Sequence, residues 1–107
     1  MTTFDDRERG FESKHARDEE TEFKAAARRN RQLGRWAGEQ LGLSGPELDA
    51  YVTAVMRSDL QDKGDEDVLR KVSADLSAKG VNVSATDLRA RMDHLLVAAR
   101  EELYAGR

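Results

Sequence analysis

The stretch Leu43-Ser44-Gly45-Pro46-Glu47-Leu48 reads as a helix start. Ser44 stands where it accepts from the backbone N–H of Glu47, Glu47 where it reaches back, and Leu43 and Leu48 where they close a hydrophobic staple. The same design returns at Val83-Ser84-Ala85-Thr86-Asp87-Leu88. Two helices therefore begin at Ser44 and Ser84. Leu48, Val52, Val55, Met56 and Leu60 follow the first start at the three-and-four spacing of one buried face, and Asp62-Lys63-Gly64 ends it. Leu88, Met92, Leu95, Ala99 and Leu103 form the stripe after the second, widened by Leu96 and running to Gly106.

Between them lies a third helix. Its opening acids, Asp65-Glu66-Asp67, suit the positive end of a helix dipole, and Val68, Leu69, Val72 and Leu76 share one stripe. Gly80 followed by Val81, which folds back toward Leu76, is the pattern of a left-handed C-terminal cap. Before Gly42, the positions Phe23, Ala27, Asn30, Gly34, Ala37 and Leu41 share a face, with Ala26 and Leu33 beside it. That spacing predicts a first helix that packs on the other three. With a single proline and no alternating run of β-branched residues, strands have no support. The expected fold is all-α, a four-helix bundle over residues 23–107.

Residues 1–22 differ. Their apolar residues are Met1, Phe4, Phe11 and Ala16, set among eight acidic and four basic side chains. So little apolar surface does not offset the entropy of ordering, although Thr2 and Thr3 before Asp5 and Asp6 still look like a helix start. The expectation is a mobile, partly disordered segment that folds on a partner.

Composition sets further bounds. The 107 residues carry a net charge of −3, are 38% hydrophobic and 36% charged, and include no cysteine. A disulfide framework and thiolate chemistry are thus excluded, and a reducing compartment fits. The start lacks the apolar stretch of a signal peptide, and the longest apolar run, Leu95 to Ala99, is five residues. A cytoplasmic chain without membrane insertion is expected.

The charge sign reverses at Phe23, after which Lys24, Arg28, Arg29, Arg31 and Arg35 occur with no acid up to Gly38. Lys24, Arg28, Arg31 and Arg35 form a stripe that could contact an anion or nucleotide. A solvated face paired with Asp18, Glu19, Glu20 and Glu22 is the simpler reading, and net acidity argues against nucleic acid. Asp59, Asp62, Gly64, Asp65 and Asp67 fail as a calcium loop, because Lys63 and Arg70 fall on ligand positions. His15 and His94 lie far apart with no zinc-motif partner on either helix. With no cysteine, nucleophile elbow or phosphate-binding glycine loop, the expectation is no catalytic site, no metal and no cofactor. Gly34, Gly38 and Gly42, four apart, predict close approach of a neighbouring helix.

Thr3-Phe4-Asp5-Asp6-Arg7-Glu8-Arg9, Phe11-Glu12, Asp18-Glu19-Glu20, Phe23-Lys24, Ala27-Arg28-Arg29-Asn30 and Leu33-Gly34-Arg35-Trp36-Ala37 together resemble the ATP synthase inhibitor subunit zeta of alphaproteobacteria. The resemblance is densest over residues 3–42, and Glu66-Asp67-Val68 opening the third helix agrees with it. It implies a regulatory inhibitor whose N-terminal segment enters an interface between alpha and beta subunits of the catalytic head, near gamma, and blocks ATP hydrolysis. Such a protein is peripheral to the inner membrane when bound. Carried over by position, the inhibitory residues are Phe4, Asp5, Asp6, Arg7, Glu8, Arg9, Phe11, Glu12 and Lys14. The chain departs from the family's usual residues at Gly10, His15, Arg17 and Thr21. Gly10 raises the cost of helix formation and His15 removes aromatic contact area, which lowers the expected strength of inhibition.

Overall fold

A computed structural model describes the backbone of residues 2–58 and 65–105, and the side chains of residues 19–58 and 65–105. Four helices make up the described chain: α1 (Thr2–Gln40), α2 (Gly45–Ser58), α3 (Asp65–Ala78) and α4 (Ala85–Ala105). The expected end of the second helix at Leu60 to Gly64 and the candidate loop residues Asp59 and Asp62 lie outside the described residues, as do the side chains of residues 1–18.

The ends are set by the residues read as punctuation. At Gly80, with φ of 80°, the Gly80 N–H bonds the Ser77 carbonyl at 3.0 Å and the Val81 N–H bonds Leu76 at 2.9 Å. These two bonds satisfy carbonyls that the last turn would otherwise leave open, and they return Val81 to the core. Gly42 (φ 82°) ends α1 identically, with Gly42 N–H on Glu39 and Leu43 N–H on Gly38. Ser84 caps α4 as expected, its Oγ accepting from the Asp87 N–H at 3.0 Å. The matching bond is not formed at Ser44. Gly45, at φ 58°, turns the chain there, and only the backbone bond from the Leu48 N–H to the Ser44 carbonyl, 3.4 Å, closes the first turn.

Helices α1 and α3 each touch all three others, and the most extensive packing is that of α1 on α2 and α4. The core joins Leu33 and Ala37 of α1, Val55 of α2, Val68, Leu69, Val72 and Leu76 of α3, and Leu88 and Met92 of α4. The α3 stripe is buried where the spacing put it, whereas on α2 Val55 is buried, Leu48, Val52 and Met56 are half-buried and Leu60 lies outside the described residues. On α4, Leu88, Met92 and Ala99 are buried, whereas Leu95 and Leu103 are only partly so.

The first-helix face needs correction at its N-terminal end. Phe23 is 75% exposed, and Thr21 and Ala25 take the buried positions instead. The cause is local chemistry: Arg29 and Asn30, both 2% exposed, bring their polar groups inside by bonding them, which rotates the buried arc away from Phe23. Further along, small size decides the packing. A Cβ on Gly34 would stand 3.1 Å from the Val52 Cα, and one on Gly38 would meet Leu48 Cδ1. Both glycines let α2 approach α1 closely, as read, while Gly42 serves as the cap.

Between α2 and α3, Tyr51 Oη donates to Asp75 Oδ2 at 2.9 Å, and Lys71 Nζ donates to the same oxygen at 3.1 Å. Lys71 also lies 5.4 Å from the Tyr51 ring centroid. Burial first, and then the bond and charge of Asp75, push the Tyr51 phenol well above its usual value. A raised folded-state value means that the unfolded chain loses its proton first. Stability from this group is therefore full below about pH 10 and falls as pH rises above it. In thermal melts across pH 8–12, wild type is expected to lose midpoint relative to Tyr51→Phe only above about pH 10. A constant difference across that range would mean that Tyr51 titrates alike in both states.

Candidate functional site

The residues between positions 19 and 40 belong to a helix whose sides do different work. Facing the bundle, ion pairs fasten α1 to α3 and α4. Arg29 donates from a terminal guanidinium nitrogen to Asp65 at 2.8 Å and from Nε to Asn30 Oδ1 at 3.0 Å. Glu22 accepts from Arg100 at 2.7 Å, and this bond raises the Arg100 value further. Arg28 donates to Glu102 at 2.6 Å. Arg89 of α4 pairs with Glu66, and Arg91 lies over the Trp36 ring at 4.1 Å. The acids that open α3, read as dipole partners, thus also tie its first turn to α1 and α4.

The basic stripe is divided by these pairings. Lys24 is held by Glu20 at 3.3 Å and Arg28 by Glu102, whereas Arg31 and Arg35 are exposed and form no ion pair among the described residues. Arg28, Arg31, Gln32 and Arg35 share a shallow groove of about 320 Å³ with Glu102. Glu22, one of the acids expected to neutralise the stripe, reaches α4 instead. The interhelix partners Asp65, Arg100 and Glu102 carried no signal in the sequence, since no spacing rule relates residues on different helices.

Residues Phe4, Asp5, Asp6, Arg7, Glu8, Arg9, Phe11, Glu12 and Lys14 lie in the N-terminal part of α1, and their side chains fall outside the described residues. His94 is exposed, and among the described residues no cluster of three or more acidic or histidine side chains is arranged to hold a metal. Every buried side-chain nitrogen or oxygen described has a hydrogen-bond partner. No described helix is long and apolar enough to cross a membrane.

Comparison with known proteins identifies the architecture. A protein solved in solution by NMR is 40% identical, with a TM-score of 0.65 over 79% of this chain and 96% of its own. A search of curated proteins gave no match. The model of the ATPase inhibitor subunit zeta family matches residues 1–102, which takes in both the N-terminal segment and nearly all of the bundle. This chain, four helices built around α1 and an acidic N-terminal segment, belongs to the ATPase inhibitor subunit zeta family.

Proposed function

We propose that this protein inhibits ATP hydrolysis by the catalytic head of the ATP synthase, and that residues 1–22 are the inhibitory segment carried by a bundle domain of residues 23–107. Phe4, Asp5, Asp6, Arg7, Glu8, Arg9, Phe11, Glu12 and Lys14 enter an interface between alpha and beta subunits close to gamma. The observation that carries this reading is the family match beginning at residue 1, which takes in the charged segment together with the bundle. The described buried apolar residues of the bundle run from Ala25 to Ala99, with Thr21 and Glu22 at the junction. A regulator of this kind does no chemistry itself, and it acts in the cytoplasm at the membrane-bound enzyme.

The alternative, an anion or nucleotide contact through Lys24, Arg28, Arg31 and Arg35, has the groove beside α4 in its favour. Against it, Glu20 and Glu102 hold two of the four cations and place a carboxylate in the groove. A hydrolysis assay with the cognate head tests the first reading. Full-length protein is expected to slow turnover, and a chain lacking residues 1–19 to have no effect. Equal inhibition by both would overturn it.

A further inference from the structure

Phe23 is the most exposed large hydrophobic residue described, at 75% of its surface, and it stands on the helix that carries the segment. Lone exposed apolar residues are common and carry little by themselves. Phe23 is not isolated, however. Steps of four along α1 lead from it through Ala27 to Arg31 and Arg35, so the four positions form one ridge within about 120° of arc, exposed at Phe23, Arg31 and Arg35 and half-buried at Ala27. The two arginines are exposed and form no ion pair among the described residues, while neighbouring Lys24 and Arg28 are neutralised. An aromatic followed by two uncommitted guanidiniums matches the composition of interface anchors, in which Phe, Tyr, Trp and Arg are enriched.

The occupant follows from continuity. Helix α1 runs without a break from Thr2 to Gln40. Position 23 therefore lies about 14 Å along the same axis from position 14, at 1.5 Å per residue, and about a third of a turn around from positions 4 and 11. A surface that receives residues 4–14 as a continuation of this helix brings Phe23 to its rim, against a different wall. We propose that the ridge Phe23–Ala27–Arg31–Arg35 is a second contact with the ATP synthase head, seating Phe23 in an apolar pocket and Arg31 and Arg35 against carboxylates outside the groove. This rests on the inhibitor reading above and adds the bundle's own share of the interface. Its role is to slow release, since desolvated aromatic anchors govern dissociation and rim charges govern encounter and salt dependence.

The test uses full-length protein and the cognate head. Phe23→Gln keeps helix propensity and alters an exposed side chain, so the melting midpoint is expected to stay put while the concentration for half-inhibition rises about 30-fold, chiefly through faster dissociation. Arg31→Glu with Arg35→Glu is expected to weaken binding about tenfold and to flatten its dependence on salt. Wild-type dissociation by Phe23→Gln overturns the proposal and leaves the segment reading intact. A change confined to self-association of the free chain overturns it too, assigning the ridge to a second copy. Full inhibition by a Phe4→Ala/Phe11→Ala variant tells instead against the segment, and absence of any binding by wild type defeats both.

Discussion

Replacing Phe4 and Phe11 together by alanine is expected to raise the concentration needed for half-inhibition of ATP hydrolysis more than 100-fold, which corresponds to about 3 kcal/mol of binding. The two positions are seven apart, so in a helix they fall within about 20° of each other and make one apolar edge among charges. A pair of aromatics at this spacing is the usual anchor of a helix laid in a groove, with Arg7, Arg9 and Lys14 available to carboxylates at its margin. Folding is expected to be nearly indifferent to the change, because the described buried apolar residues run from Ala25 to Ala99. Titrating the variant against the cognate head gives the first quantity, and thermal melting by circular dichroism gives the second. A large fall in melting midpoint would assign the phenylalanines to the bundle. Undiminished inhibition would place the anchor elsewhere.

The second large effect is an asymmetry within one ion pair. Arg29 is 2% exposed, and its partner Asp65 is 51% exposed at the first turn of α3. Arg29→Met removes the buried charge and fills its space with an unbranched chain, leaving a carboxylate that water and the helix dipole both accommodate. Asn30 Oδ1 also loses its donor, and the combined loss is expected to be about 1.5 kcal/mol. Asp65→Ala does the opposite, leaving a guanidinium out of water with only the neutral Asn30 amide for company. Breaking a pair on its exposed side in this way is expected to cost about 3 kcal/mol. Urea unfolding of the two variants decides the matter through their midpoints at constant slope. Equal losses would show that the guanidinium reaches solvent once Asp65 is gone.

Residues that act on their own neighbours made much of this fold legible in sequence. Gly80 with Val81, and Ser84 with Asp87, punctuate helices through bonds spanning three to five residues, and such bonds leave a local pattern. Val68, Leu69, Val72 and Leu76 are buried for an equally local reason, the helical repeat. Phe23 was misplaced because periodicity scores an aromatic as inside and an arginine as outside. The chain inverts this by bonding Arg29 to Asp65, 36 residues on, a partnership visible only when two helices are brought together. Ser44 shows a smaller case, where Gly45 took a left-handed turn in place of a side-chain cap. The residues proposed as inhibitory are legible only through resemblance, which reads order along the chain, and Arg31 and Arg35 stand apart only where Lys24 and Arg28 have partners.

That α1 is one helix from Thr2 to Gln40 has a kinetic meaning. Beginning a helix in water is rare, with a statistical weight of about 10⁻³, whereas lengthening one adds residues at close to even odds and within nanoseconds each. Residues 19–40 are held helical by packing on α2 and α4, so any turn added toward Thr2 is growth from a template. A detached peptide must start its own first turn and, at this length, is barely able to sustain it. The bundle therefore serves the segment as a permanent seed crystal, granting up to about a thousandfold statistical advantage before any partner is touched. Glycine at position 10, unfavourable in a free helix by about 1 kcal/mol, costs the seeded helix the same amount, yet the nucleation step that makes such a cost prohibitive is already behind it.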